Sequence, residues 1–195
     1  LAGVINYFVL LPFYKDKNIR ITFSDERDEL LETGGGILHA SSLLTCNNPE
    51  HKFLVHNVDI LSNLRLEELW AYSSESSDAV LVVSKRKTAR YLIFDDDMKL
   101  VGWTNIQTGE VKSPFNEVHE TIAKLHSNEL YIEKYHLRAF AGIHYIKTKL
   151  IDSMYSWPTK FSIIDFYLKN CDSHEIKGYT FEDLKLIDVG KLHTL

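Results

Sequence analysis

The sequence predicts an α/β protein in which helices cover both faces of a mainly parallel sheet. Strand-like apolar runs alternate with amphipathic stretches along the chain, and this alternation is typical of α/β domains. The clearest strand, Ala79–Val83, is a continuous apolar run, as expected for a strand buried on both sides. Arg90–Phe94 and Leu100–Trp103, which an acidic turn joins, predict a hairpin that adds mixed strands to this sheet.

The remaining elements follow from the spacing of apolar residues. Strand-like patterns predict three further strands, at Ile19–Phe23, Phe53–Val58 and Arg138–Ile146. Helical spacing predicts four helices, at Gly36–Leu44, Leu66–Ser73, Glu117–Lys124 and Phe161–Asn170. Ser162 is placed to cap the start of the last helix.

Composition restricts the kind of protein. The chain has 195 residues, of which 45% are hydrophobic and 25% charged; these values predict one globular domain over residues 1–195. No apolar run approaches the roughly 20 residues that cross a bilayer, and the net charge of −5 argues against nucleic acid binding. Cys46 and Cys171 lack the spacing of a metal site, so we expect reduced thiols in a cytoplasmic protein without membrane association. The oligomeric state cannot be read from these values.

The segment Leu30–Ile37 (LLETGGGI) is the first candidate site. It follows the predicted strand Ile19–Phe23 after an acidic turn and leads into a predicted helix. Three successive glycines remove every Cβ from this corner, so that a flat ligand such as a base or ribose could approach the backbone. The glycines alone leave a second interpretation open, a tight turn without a ligand.

Two aspartates each follow a short apolar run. Phe53–Ile60 (FLVHNVDI) carries Asn57 and Asp59, and Leu186–Lys191 (LIDVGK) carries Asp188. Ligands of open α/β sheets bind at the carboxyl ends of the strands, and carboxylates together with substrate phosphates are the usual ligands of Mg²⁺. If their strands end close together, the two carboxylates can share one Mg²⁺. Taken singly, either aspartate could instead cap a turn.

Other polar residues indicate less. The nine histidines do not have the spacing of a zinc site, and no pattern offers a hydrolase nucleophile. The basic cluster Lys85-Arg86-Lys87 directly follows the strand Ala79–Val83. It could face a phosphate or form a solvated turn.

Four segments resemble, in the same order, motifs of the sugar-1-phosphate nucleotidyltransferase family. LIDVGK resembles the family segment W-x-D-[IV]-G-[TK], and FLVHNVDI resembles its strand ending in N-x-D; these resemblances imply that Asp59 and Asp188 are catalytic residues that bind Mg²⁺. AFAGIHYI resembles F-x-G-I-x-x-[IF] and implies that Gly142 contacts the sugar, with Asn57 also on the sugar side. LLETGGGI resembles L-x-T-x-G-x-[IL], which implies nucleotide-binding roles for Leu31, Glu32, Thr33, Gly34 and Gly35.

The resemblance implies a fold and a reaction. The fold is a Rossmann-like three-layer α/β/α sandwich with a mixed, mainly parallel sheet, the nucleotide-diphospho-sugar transferase fold. In the reaction, a sugar 1-phosphate attacks the α-phosphorus of an NTP, which gives an NDP-sugar and pyrophosphate with Mg²⁺ as the cofactor. The implied partners are therefore the NTP and the sugar 1-phosphate.

The sequence departs from the family pattern in two places. It lacks the Gly-rich segment G-G-x-G-T-R-L-x-P-L-T that holds the triphosphate in the family, and it lacks the E-K-P segment whose lysine binds the sugar phosphate. Leu1–Val4 resembles the end of the family's first helix and Ile5–Phe8 a later one, so we expect a strand to be missing after Val4. Two functions stay open: an active enzyme, and a non-catalytic domain that binds sugar nucleotides or partner proteins for regulation.

Overall fold

A computed structural model describes residues 21–27, 29–44, 50–73, 77–126 and 134–190. The chain divides into two compact units, Leu1–Leu30 and Leu31–Leu195. In the first unit, the described residues form no regular element, and an ion pair joins the exposed side chains of Arg27 and Asp25. The prediction of a strand at Ile19–Phe23 is therefore wrong for residues 21–23. Residues 19 and 20 lie outside the described residues, and so do Cys46 and the junction after Val4.

The second unit contains the helices and strands that the structure describes. Its helices are α1 (Glu32–His39), α2 (Ser41–Leu44), α3 (Leu66–Tyr72), α4 (Asn116–His126), α5 (Lys149–Met154) and α6 (Ile163–Asn170). Its strands are β1 (Lys52–His56), β2 (Ile60–Ser62), β3 (Ala79–Ser84), β4 (Arg90–Phe94), β5 (Leu100–Asn105), β6 (Glu110–Lys112), β7 (His136–Lys147), β8 (Ile176–Thr180) and β9 (Leu186–Asp188). The described helices include none that is long and apolar enough to cross a membrane.

The main sheet is mixed and is built around β7. Its order is β6-β5-β4-β7-β3-β8, and β1 also pairs with β7. Among the described strands only β3 and β8 pair in parallel, so the expected predominance of parallel pairing is not seen there. Because β1 and β3 both run antiparallel to β7, their carboxyl ends lie at the same edge of the sheet. The α/β class and the mixed sheet are confirmed.

Strand β3 shows why helices cover both faces of this sheet. Its side chains alternate between two apolar clusters: Leu81 and Val83 belong to the cluster that contains α5 and α6, and Val80 and Val82 to the cluster that contains Leu69 of α3. All of these side chains are buried. The continuous apolar run therefore fills two layers of core, as the sequence predicts.

A second, two-stranded sheet consists of β2 and β9, which pair antiparallel with Ile60 opposite Asp188. Helices α3, α4 and α6 begin and end within two residues of their predicted bounds, whereas the helix predicted at Gly36–Leu44 is divided between α1 and α2. The hairpin of β4 and β5 is confirmed, and Ser162 caps α6 by accepting a hydrogen bond from the backbone N–H of Ile164 at 3.2 Å.

Candidate functional site

Asp59 and Asp188 meet at the small β2–β9 sheet. Asp59 lies in the turn between β1 and β2, and its carbonyl accepts a hydrogen bond from the N–H of Val189 at 2.8 Å. A Cβ placed on Gly190 would lie 2.6 Å from Oδ2 of Asp59 and 3.3 Å from Oδ1 of Asp188. Both carboxylates therefore flank one small space, which is open because residue 190 has no side chain.

Asn57 and Gly142 form a second contact beside the aspartates. The N–H of Asn57 donates to the carbonyl of Gly142 at 3.0 Å. Gly142 is buried with a φ of +75°, and a Cβ on it would lie 2.8 Å from Nδ2 of Asn57. The glycine thus lets the Asn57 side chain lie against the β7 backbone. The expected approach of the sugar itself to Gly142 stays a prediction.

These four residues line one cleft of about 550 Å³, which we call the aspartate cleft. The structure thus brings Asp59 to Asp188 and Asn57 to Gly142, although the two members of each pair lie far apart in the sequence. The volume is in the range of small-molecule sites. The described residues that line the cleft are Asn57, Asp59, Ile60, Arg86, Phe140, Ala141, Gly142, Leu186, Ile187 and Asp188.

A neighbouring cleft of about 620 Å³, the Trp103 cleft, shares Arg86 and Phe140 with the aspartate cleft. Its floor is the face of the sheet on which Trp103 pairs with Leu92 of β4 and with Lys112 of β6. The ammonium group of Lys112 lies 3.1 Å from the carboxylate of Asp165 in α6.

Sequence reasoning did not identify the Trp103 cleft. Its residues come from alternate positions of β4, β5 and β6, from β7, from the segment between β3 and β4, and from α6, and strand pairing and helix packing put them side by side. The one available signal was the period-2 pattern, which places Arg90, Leu92, Trp103 and Asn105 on one face of the predicted hairpin.

The glycine segment is not the open strand-to-helix corner that the sequence suggested. Helix α1 begins at Glu32, so Gly34 and Gly35 are helical and buried. Their N–H groups both donate to the carbonyl of Phe161, at 3.0 and 3.2 Å, and a Cβ on Gly35 would lie 2.2 Å from the carbonyl oxygen of Thr159. The glycines therefore make room for the chain segment before α6.

The residues before these glycines keep a feature typical of ligand-binding segments. Glu32 has a φ of +62°, a backbone conformation that costs free energy for a residue with a Cβ. Glu32 and Thr33 are exposed, whereas Leu31 is buried. Their nucleotide-binding roles, and those of Gly34 and Gly35, stay predictions.

The carboxylates of the aspartate cleft fit a magnesium ion better than a zinc ion. Mg²⁺ takes hard oxygen ligands and is commonly held by one or two carboxylates together with substrate phosphates and water. Within the described ranges, no group of three or more His, Cys, Asp or Glu side chains could hold a metal ion. Among the described residues that line the cleft, the acidic donors are the carboxylates of Asp59 and Asp188, and none of these residues is a histidine or a cysteine.

A cluster of charges at the opposite end of β3 has a structural role. Asp78 precedes β3, is 7% exposed in its side chain, and contacts Lys149 and His174. Burial alone would raise the pKa of Asp78, but the hydrogen bonds from Lys149 and His174 and from the N–H of Glu175 lower it. A buried carboxylate whose partners satisfy it in this way ties β3 to the starts of α5 and β8.

Comparison with known proteins identifies the fold. Neither a protein-family model nor a curated protein matches the sequence. The structure is similar to HddC from Yersinia pseudotuberculosis, solved with GMP-PN, with a TM-score of 0.63 at 18% identity over 99% of this chain and 71% of that one. It is also similar to a putative glucose-1-phosphate thymidylyltransferase from Bacillus anthracis, with a TM-score of 0.68 at 10% identity over 98% and 68% of the two chains.

A third similar structure is UDP-glucose pyrophosphorylase from Acinetobacter baumannii, with a TM-score of 0.64 at 14% identity over 97% of this chain and 69% of that one. In each case about a third of the neighbour's length has no counterpart here. At these identities the similarity establishes the architecture. The chain has the Rossmann-like α/β fold of the sugar-1-phosphate nucleotidyltransferases.

Proposed function

We propose that this protein transfers a nucleoside monophosphate from an NTP to a sugar 1-phosphate in a Mg²⁺-dependent reaction. The observation that carries this proposal is the meeting of Asp59 and Asp188, with Asn57 and Gly142, in one cleft of a nucleotidyltransferase fold. The four residues come from three of the segments that resemble the family motifs. The neighbours named above act on nucleotides and sugar phosphates, which supports the same reaction class.

In the proposed reaction, an oxygen of the sugar 1-phosphate attacks the α-phosphorus of the NTP. A new P–O bond forms, the bond to the bridging oxygen of the β-phosphate breaks, and pyrophosphate leaves. Mg²⁺ would neutralise the negative charge that this step concentrates. Asp59 and Asp188 would hold the metal, the Asn57 amide would bind the sugar, and Leu31–Gly35 would contact the nucleotide.

The test is pyrophosphate release by the protein with each of four NTPs and a panel of sugar 1-phosphates. We expect release with at least one pair, lost when Mg²⁺ is removed by EDTA. Asp59→Asn and Asp188→Asn should each lower turnover by at least roughly a hundredfold, because each removes a charged metal ligand. Asp97→Asn, in the exposed turn between β4 and β5, is the matched control and should keep the wild-type rate. Unchanged turnover in Asp59→Asn would refute the metal assignment.

A second function uses the same cleft. A domain of this fold that binds a sugar nucleotide for regulation needs the base, sugar and metal contacts but does not transfer the nucleotide. Mg²⁺-dependent binding of a sugar nucleotide in calorimetry, with no pyrophosphate release from any pair, would support the binding domain over the enzyme.

A further inference from the structure

Arg86 lies where three clefts meet. Its side chain lines the aspartate cleft, the Trp103 cleft and a third cleft of about 760 Å³ that Lys85 and Thr180 also line. Nη2 of Arg86 donates to the carbonyl of Phe140 at 3.3 Å, which ties the side chain to β7 two residues before Gly142. A guanidinium group has five N–H donors, so this single hydrogen bond leaves donors for a ligand.

The charges of the aspartate cleft point to the kind of ligand. Among the described residues that line it, Arg86 is the only cation, and the two carboxylates of Asp59 and Asp188 line the same cleft. Within the described part of the chain Arg86 forms no ion pair. A phosphate brought to a metal between two carboxylates would keep an excess of negative charge. A planar guanidinium group can bind two phosphate oxygens at once.

We propose that Arg86 is the phosphate-binding residue of the aspartate cleft. It replaces, from the turn after β3, the lysine that the sequence lacks in an E-K-P segment. The identity of the substrates rests on the proposed function above. The ligand chemistry, a metal-bound phosphate, is shared by the sugar 1-phosphate and the NTP, and kinetics with each substrate can distinguish the two.

The direct experiment measures binding of inorganic pyrophosphate with Mg²⁺ by calorimetry, so that it does not depend on turnover. Arg86→Met should weaken binding roughly ten- to a hundredfold, as expected when a hydrogen bond to a charged group is lost. Arg86→Lys, which keeps the charge but not the fork of donors, should bind with intermediate affinity. Lys87→Met is the matched control, because the exposed Lys87 lines none of the three clefts, and it should bind as the wild type does.

Kinetics then identify the phosphate. A rise of KM for the sugar 1-phosphate alone in Arg86→Met assigns Arg86 to the acceptor, and a rise for the NTP alone assigns it to the donor; either result supports the proposal. Wild-type pyrophosphate affinity in Arg86→Met, or no binding by the wild type, would overturn it even if the protein transfers nucleotides. Arg86-dependent pyrophosphate binding without any turnover would refute the proposed enzyme and leave this inference standing. Equal melting temperatures of the variants exclude misfolding.

Discussion

Two glycines with the same backbone conformation have opposite surroundings. Gly142 has a φ of +75° and packs against Asn57, whereas Gly109 has a φ of +76° with nothing within 4 Å of the position of a Cβ. Comparing them separates two costs of adding a methyl group. One is the left-handed backbone, and the other is the loss of space beside the aspartate cleft.

We expect Gly109→Ala to lower the free energy of unfolding by about 1–2 kcal/mol, the cost of a left-handed residue with a Cβ. Gly142→Ala should cost roughly 1–3 kcal/mol more, as overpacking does, because its methyl group would displace Asn57. Urea denaturation measures both, and pyrophosphate release should fall only in Gly142→Ala. Equal losses in the two variants would show that Asn57 adjusts without cost.

At the scale of single residues, the sequence was sufficient to predict the positions of polar residues that follow apolar runs. Asp59 and Asp188 each follow a short apolar run, which predicts a shared site if the two strands end close together, and the structure brings the two residues together at β2 and β9. The basic turn Lys85-Arg86-Lys87 allows two interpretations, a phosphate contact and a solvated turn. The hydrogen bond of Arg86 to strand β7, more than fifty residues later, is what distinguishes Arg86 from its two neighbours.

At the scale of elements, helix α1 begins where the sequence predicts an open corner between a strand and a helix. The three glycines do mark a close approach, but the approaching group is the backbone of residues 159–161. A single sequence cannot distinguish a ligand from a distant segment of the same chain, since both need the absence of a Cβ. The helix consequently starts four residues before the predicted position, at Glu32.

Replacement of Gly35 by alanine tests this packing. Inside most helices Gly→Ala stabilises by about 0.5–1 kcal/mol. Here the Cβ would lie 2.2 Å from the carbonyl oxygen of Thr159, so we expect a net loss of roughly 1–3 kcal/mol in urea denaturation. Thr33→Ala, exposed on the same helix, should change stability by less than about 0.5 kcal/mol. A gain in stability for Gly35→Ala would contradict the close contact.

At the scale of the whole molecule, the alternation of strands and helices predicted the α/β class but overestimated parallel pairing. The reason is β7, a strand of 12 residues that pairs antiparallel with β1, β3 and β4. Alternation along a sequence gives the layers but not the direction of each strand, because a long connection can return the chain in either sense.

The core between the sheet and α6 predicts how stability depends on pH. His144 is buried, with Nδ1 2.6 Å from the hydroxyl of Tyr167, and burial lowers its pKa to about 3. The unfolded chain binds a proton near pH 6.5, so the unfolded state holds more protons between these values. Stability should therefore be complete above pH 6.5 and fall as the pH decreases towards 3, by up to about 1.4 kcal/mol per pH unit.

Urea denaturation at pH 7.5 and pH 5.0 measures this effect. We expect the loss between the two pH values to be smaller in His144→Leu than in the wild type, even though the variant is less stable at both. His119→Gln, at an exposed position of α4, should lose as much as the wild type. An unchanged loss in His144→Leu would assign the pH dependence to other groups.

The pairing of Ile60 with Asp188 also sets the time at which the site can exist. The two carboxylates are synthesised 129 residues apart, and the second lies on a three-residue strand that pairs in a single register. A slip by one position would turn Asp188 to the opposite face. A nascent chain therefore cannot bring the two carboxylates together until β9 has emerged from the ribosome and docked on β2.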